Sequence, residues 1–594
     1  MPLQSTTLNR SCHAVPGLGI TPWWNASFLL MLLLSTGSVY ADSPTTTSIY
    51  EHQATAQPQW ARHGMVASQE ALATQIGVDI LKQGGNAVDA AVATGFALAV
   101  TLPRAGNIGG GGFMLVYLAD KQKTIAIDYR EMAPAKAHKD LFIGDNGEVN
   151  KQWSRQHGLA VGVPGTVMGL LSALEKYGTM TPKQVMAPAI ALAQDGIEVT
   201  YDLAQSLSDL QPRLSRWPST NAIFYQANGD AFAPGAILQQ PELAHSLRLI
   251  ANKGVAGFYQ GETADNIVAA VTEAGGILTL EDMQSYQVVE RDAVEGNYRG
   301  YRVISMPPPS SGGIHIIQML NTLEHFPLAE LGHNSAASLH LFTETMKLAY
   351  ADRSEYLGDP DFYPVPTQAL IAKPYAQRLA NSIKDTARAS AEIKPGAELQ
   401  YESPQTTHYS VVDQWGNAVS NTYTLNFSYG SGLVAAGTGI LLNNEMDDFS
   451  AKAGVPNGYG LIGGEANAVA PRKRPLSSMS PTIVLKDNQV YLVTGTPGGS
   501  RIISTTLQII TNVIDYQLNI AEATLAGRIH HQWLPDELRV ERSINLDTLK
   551  LLEAKGHKVK VQNAMGSTQS IMRTLDGWYG SSDPRRPGSL TAGH

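Results

Sequence analysis

The sequence predicts an α+β fold, and three observations predict it. Residues 406–413 form a strand-like run that turns at Gln414-Trp415-Gly416-Asn417 and returns as 418–426. Turn residues set between β-branched and aromatic runs are the pattern of a hairpin. Residues 69–82 and 87–100 carry helical patterns bounded by caps and glycines. The 594 residues, 43% hydrophobic and 16% charged, suffice for one large domain or two smaller ones with a substantial core.

The net charge of -9 is mild and comes without an acidic or basic block. No sustained Lys/Arg stripe is present, which argues against a nucleic-acid partner. Residues 1–41 read as an export signal. Arg10 and His13 lie in a long polar lead, residues 27–34 are a short apolar core, and Val39-Tyr40-Ala41 offers a small-residue cleavage site before Asp42. The apolar core is short for a bilayer span, and an uncleaved anchor is the alternative. Cys12 is the only cysteine and departs with the signal, so the mature chain carries no thiol, disulfide or cysteine-based metal site. A cysteine-free exported chain fits a Gram-negative periplasm, with no stable membrane anchor after signal removal.

From the N-terminus, residues 42–60 are a polar, Pro/Thr-rich leader. Ser68 is expected to cap helix 69–82, which stops at Gly84-Gly85. Asn86 caps helix 87–100, so rich in Ala and Val that burial on all sides is expected. A glycine run, residues 106–112, precedes strand 113–117. No Gly-Lys-Ser/Thr follows and the order is loop then strand, which argues against a phosphate loop. Close backbone packing or a loop lining a site remain. Strand 123–129 ends in Arg130-Glu131-Met132-Ala133-Pro134. An arginine there either clamps a carboxylate bidentately or makes a surface ion pair.

Residues 165–400 are mostly helical, with segments 167–177 and 188–195, the latter starting at Pro188. Strand 298–305 leads through the rigid bend 307–313 into helix 314–323, and helix 338–350 runs into Asp352-Arg353-Ser354-Glu355-Tyr356. The acids there and at Asp359 could hold a cation, but no EF-hand loop is present. Beyond the hairpin, Asn443-Asn444-Glu445-Met446-Asp447-Asp448 either binds an ammonium group or is a solvated turn. Residues 453–470, rich in Gly, Asn and Pro with an isolated Tyr459, suit a mobile lid. Ser477 and Ser478 lie in a hydroxyl-rich bend before strand 482–486. Strand 490–494 runs into Gly495-Thr496-Pro497-Gly498-Gly499-Ser500-Arg501 and helix 502–515. Adjacent glycine N–H groups at a helix start make an oxyanion site, or only a tight turn.

No Gly-x-Ser-x-Gly or His-Glu-x-x-His is present, and His530-His531 are adjacent rather than one helical turn apart. Hydroxyl chemistry remains. Thr406 is an ordinary strand residue in a continuous chain. Cut before it, the chain gains an α-amino group of pKa about 7.7–8.0 beside its own hydroxyl, able to act as its base.

Taken in order, Gly109-Gly110-Gly111-Gly112-Phe113-Met114, Tyr129-Arg130-Glu131-Met132-Ala133-Pro134 and residues 307–315, 406–413, 443–450, 475–482 and 495–501 resemble the motifs of bacterial γ-glutamyltransferases (γ-glutamyltranspeptidases, glutathione hydrolases). The likeness runs from about Met65 to the C-terminus. It implies the N-terminal-nucleophile hydrolase fold, a four-layer αββα sandwich. It also implies self-cleavage between Gln405 and Thr406, giving a large chain 42–405 and a small chain 406–594 that stay together as a heterodimer. The Thr406 hydroxyl then attacks the γ-carbonyl of a donor such as glutathione, and the γ-glutamyl ester passes to water or to an amino-acid or peptide acceptor. No metal or organic cofactor is implied.

The roles carried over are specific. Arg130 with Ser477 and Ser478 holds the donor α-carboxylate, and Asn426, Glu445 and Asp448 hold its α-ammonium. Gly498 and Gly499 form the oxyanion hole, Thr424 orients Thr406, and Tyr459 closes the lid. Thr407 assists processing, and His408 is structural. Some relatives carry Gln where this chain has Glu445. Glu445 and Asp448 together favour γ-glutamyl over glutaryl donors. The rivals are a glutaryl-type acylase of the same fold and a non-catalytic periplasmic protein binding glutamate-like solutes.

Overall fold

The hairpin around Thr406 lies near the middle of a seven-stranded antiparallel sheet. The computed structural model describes residues 54–394, 406–452, 455, 457, 461 and 463–594; residues 1–41, Gln405 and Tyr459 lie outside them. In the first sheet the strand order is Leu590–Gly593, Met65–Ser68, Thr407–Val412, Ala418–Thr424, Gly111–Leu118, Lys123–Tyr129 and Val289–Arg291. The second sheet, also of seven antiparallel strands, runs Gln59–Ala61, Trp578–Ser582, Gln569–Arg573, Gln489–Thr494, Thr482–Lys486, Tyr301–Ser305 and Val294–Tyr298.

Side-chain alternation explains how the layers stack. Phe113, Leu115 and Tyr117 point between the sheets, where they meet Ile304, Ile483, Val493 and Ile571. Met114 and Val116 point the other way, into a cluster with helices Ala71–Lys82, Ala87–Thr101 and Thr166–Tyr177. On the far side, Val303, Val484 and Leu492 pack with helices Gly312–Leu323, Ala336–Tyr356 and Arg501–Ile514. The result is the αββα sandwich of the N-terminal-nucleophile hydrolases. A strand covered on both faces needs no polar alternation, which is why residues 113–117 are apolar throughout. A small third sheet, Ile529–His530, Leu538–Glu541 and Val559–Gln562, adjoins the second helical layer.

The hairpin turn is tied to the helical layer. Asp413 Oδ1 accepts from the Trp415 and Asn417 amides, both at 2.9 Å, and its Oδ2 accepts from the Ala87 amide at 2.9 Å. Asn86 and Asp89 form a reciprocal capping box at the start of Ala87–Thr101, every residue of which is buried, as its composition implies.

Four local expectations are corrected. The cap of the first helix is Glu70, whose carboxylate accepts from the Leu72 and Ala73 amides; Ser68 ends a strand, and its hydroxyl pairs with Thr74. Pro188 lies inside helix Pro182–Asp195, and Pro182 takes the N-terminal position, after a Thr181–Gln184 capping box. The single strand at 298–305 is two, Val294–Tyr298 and Tyr301–Ser305, because Arg299 and Gly300 both take positive φ and reverse the chain. The helix expected at 338–350 continues to Tyr356, which carries Arg353 on its last turn.

Candidate active site

Thr406 is buried at the head of its strand, and its hydroxyl oxygen stands 3.5 Å from that of Thr424. Thr424 Oγ1 accepts from the Asn426 amide at 2.8 Å. Asn426 takes φ +74, a left-handed backbone that asparagine tolerates, and its side-chain amide donates to the Asn444 carbonyl at 2.9 Å. Beneath this turn the glycine run is packed backbone to backbone. A Cβ on Gly110 would sit 2.0 Å from the Thr424 carbonyl oxygen, and one on Gly109 2.1 Å from that of Leu441. Close packing is therefore the reading of this run that the structure supports. Asn107 locks it, donating to the Thr424 carbonyl at 2.9 Å and accepting from the Gly110 amide at 2.9 Å.

His408 and Ser410 share the face of Thr406. His408 Nδ1 meets Thr422 Oγ1 at 2.8 Å and Nε2 meets Ser410 Oγ at 3.1 Å, while Ser410 donates to the Gln569 carbonyl. Burial lowers the pKa of His408 to about 3, so the ring is a neutral strut between the sheets.

A cleft opens beside Thr406 and Thr424, walled by Arg130, Arg353, Glu445, Asp448, Ser477, Ser478, Met479, Gly499 and Ile502. Gly499 takes φ +58 and Gly498, one residue back from the wall, φ +139, at the junction of strand Gln489–Thr494 with helix Arg501–Ile514. The junction is braced: Thr496 Oγ1 accepts from the Ser567 amide at 2.8 Å, Ser500 donates to Gln532 Oε1 at 2.8 Å, and Tyr350 donates to the Ser500 carbonyl.

Opposite lies a buried charge cluster. Arg130 pairs through Nη1 with Glu445 and through Nη2 with Asp448 Oδ2 at 2.5 Å, and Glu131 Oε2 lies 3.6 Å from Nη1. Burial works against the Arg130 charge, but Glu445, Asp448 and Glu131 outweigh it and raise its pKa. Burial also pushes Glu131 up to about 7 against the pull of Arg130, and raises Glu445 and Asp448.

The structure thus brings together Thr406, Thr424, Gly499, Arg130, Glu445, Asp448, Ser477 and Ser478. Asn426 stands behind the cleft, anchoring the loop that bears the carboxylates. Arg130 touches neither serine side chain; it reaches the carbonyls of Pro475 and Leu476. The guanidinium on Ser478 belongs to Arg353, whose Nη2 donates to Ser478 Oγ at 3.2 Å and whose Nε donates to Ser311 Oγ at 2.8 Å. Burial lowers its pKa to about 10, so it stays charged at neutrality. Sequence reasoning missed Arg353 and Glu131, although both stand inside segments it singled out. The signal for Arg353 was the helical pattern running past Tyr350.

Comparisons with known proteins agree with this geometry. The family model described as Gamma-glutamyltranspeptidase matches residues 73–593. The chain is 58% identical over 540 residues to the glutathione hydrolase proenzyme of Escherichia coli K12, covering 90% of this chain and 93% of that one. Among solved structures it is similar to the cephalosporin acylase of Bacillus halodurans, with a TM-score of 0.81 at 30% identity over 92% of this chain and 98% of that one. It also resembles the Helicobacter pylori gamma-glutamyltranspeptidase, with a TM-score of 0.55 at 44% identity over 57% of this chain and 97% of that one. Family model, relatives and cleft agree that this chain belongs to the gamma-glutamyltranspeptidase family.

Proposed function

We propose that this enzyme, which cleaves the γ-glutamyl bond of glutathione and related compounds, does so with Thr406 as nucleophile after cutting its own chain before that residue. The carrying observation is the Thr406 hydroxyl, held against Thr424 at a strand head, with a glycine turn on one side and a buried arginine–carboxylate cluster on the other.

In the first stage the Thr406 hydroxyl oxygen adds to the Gln405 carbonyl carbon. The C–N bond breaks, the acyl group moves from N to O, and water hydrolyses the ester. The products are a carboxylate at Gln405, a free α-amine at Thr406, and chains 42–405 and 406–594, which remain a heterodimer. The match of one Helicobacter pylori chain, nearly whole, to 57% of this chain supports a two-chain enzyme, as does the word proenzyme in the relative's name.

In the second stage the α-amine takes the hydroxyl proton as oxygen attacks the donor γ-carbonyl. The Gly498 and Gly499 N–H groups receive the oxyanion, and the proton goes to the leaving amine. Water or an acceptor amino acid or peptide then resolves the Thr406 ester. Arg130, Arg353 and the two serines bind the donor α-carboxylate; Glu445 and Asp448, with Asn426 behind them, receive its α-ammonium. A glutaryl group has no ammonium to set against those carboxylates, so γ-glutamyl donors are preferred. The segment 1–41 exports the chain to the periplasm; among the described residues no helix is long and apolar enough to cross a membrane.

Intact mass of the purified protein beside its Thr406→Ala variant tests the reading. Two chains from the parent, the smaller starting at Thr406, and one uncut inactive chain from the variant are expected. A single uncut, inactive parent chain after full incubation overturns it.

A further inference from the structure

Helix Ala336–Tyr356 carries a second chemical group well away from Thr406. His340 and Glu344 stand one turn apart on it and so share a face. His557, between helix Leu546–Ala554 and strand Val559–Gln562, meets them there. All three side chains are buried, and a ligand-type atom of each lies within 4.8 Å of the other two. Thirteen residues of helix, about 20 Å of rise, separate His340 from Arg353, so the group is no part of the cleft.

The hydrogen bonding fixes the tautomer of His340. His340 Nε2 lies 2.7 Å from the Lys384 carbonyl, to which it donates. A backbone carbonyl holding the far N–H is the arrangement that orients metal-ligating histidines. It leaves Nδ1 as an acceptor, which takes the His557 Nε2–H at 2.8 Å, the proton a metal ion would replace.

We propose that His340, Glu344 and His557 form a binding site for a divalent transition-metal ion of the zinc class. Two imidazoles and a carboxylate make a tetrahedral set with water as the fourth ligand. Ligands at about 2.05 Å from such an ion stand about 3.3 Å apart, so the imidazole pair opens by about 0.5 Å to admit it. His557 then ligates through Nε2 as its Nδ1–H tautomer. Glu344 is shared with Lys347, whose ammonium also has the Arg388 carbonyl as partner. His340 and Glu344 precede the proposed cut and His557 follows it, so the ion ties the two chains together. That consequence rests on the cleavage reading; metal uptake does not.

The test uses full-length enzyme purified without a histidine tag, stripped by chelator and titrated with Zn²⁺ and with Co²⁺. One tightly held equivalent of Zn²⁺ is expected, and Co²⁺ should give the intense visible bands of a four-coordinate site. His557→Gln should lose both while keeping γ-glutamyl turnover. X-ray absorption of the parent's cobalt form, expected to show two imidazole ligands, decides the matter even where that variant fails to fold. No stoichiometric uptake by the parent, a folded His557→Gln that retains the ion, or cobalt without imidazole ligands overturns the site.

Discussion

The hydroxyl oxygens of Thr406 and Thr424 face each other at 3.5 Å, one residue beyond the last cross-strand pair of their hairpin, Thr407 and Tyr423. Register alone sets this relationship, because residues opposite one another on adjacent strands are neighbours on one face. Thr424→Val keeps the shape and removes the hydroxyl. Losing one hydrogen bond of about 1.4 kcal/mol should lower kcat about tenfold, with KM little changed. It should also slow the appearance of the two chains. Initial rates and gel-resolved processing time courses measure both; a fully active, normally processed variant would falsify the orienting role.

Gly499 lines the cleft with φ +58. A β-carbon there costs about 1 kcal/mol in the left-handed region and tilts the peptide to relieve the strain. Gly499→Ala is expected to lower kcat by about 10²–10³, the loss typical of removing one oxyanion donor. Single-turnover rates of the processed enzyme read it directly, and an unchanged rate would take the oxyanion role away from this amide.

Arg353 bridges Ser311 and Ser478 with a planar, forked guanidinium. Lysine keeps the charge but not the fork. Arg353→Lys should raise KM for a γ-glutamyl donor about tenfold while kcat changes little, since the lost interaction is with the part of the donor that does not react. Equal losses in kcat and kcat/KM would instead point to a role in the transition state.

Glu131 is buried beside Arg130 with its pKa raised to about 7, against an ordinary value of 4.5. Between those values the folded state holds a proton that the unfolded chain has lost, so this group's contribution to stability falls as pH rises from about 4.5 to about 7. Glu131→Gln cannot lose a proton and should flatten that dependence. Thermal unfolding of both proteins at pH 5 and pH 8 checks it: the parent's Tm should drop more than the variant's, and parallel shifts would assign the proton to another member of the cluster.

Gly110 has no room for a side chain, since its Cβ would meet the Thr424 carbonyl oxygen at 2.0 Å. Gly110→Ala should destabilise by about 3 kcal/mol or more, because the obstacle is backbone that cannot rotate away. It should also slow processing by displacing Thr424. Denaturant midpoints beside the processing time course test both effects, and a variant matching the parent in both would show that this loop yields.

Much of this site was legible in the sequence because its parts are local. The hairpin follows from alternation and a turn, and the glycine junction from its place between a strand and a helix, while Arg130 at its strand end read locally as either a carboxylate clamp or a surface ion pair. Helix ends were less legible: Glu70 displaced Ser68 as a cap because Ser68 was already claimed by a strand, and Arg353 came into view only when its helix ran a turn and a half past Tyr350.

By itself, then, the sequence determined the hairpin and the main helices through periodicity, and the family, with the sandwich it implies, through motifs of neighbouring residues taken in order. Only the tertiary structure decided that Arg130 pairs with Glu445 and Asp448, more than 300 positions away, that a second guanidinium serves Ser478, and that His340 meets His557. The physical reason is that burial and charge pairing depend on which elements pack together, and no local pattern encodes the partner of a buried charge.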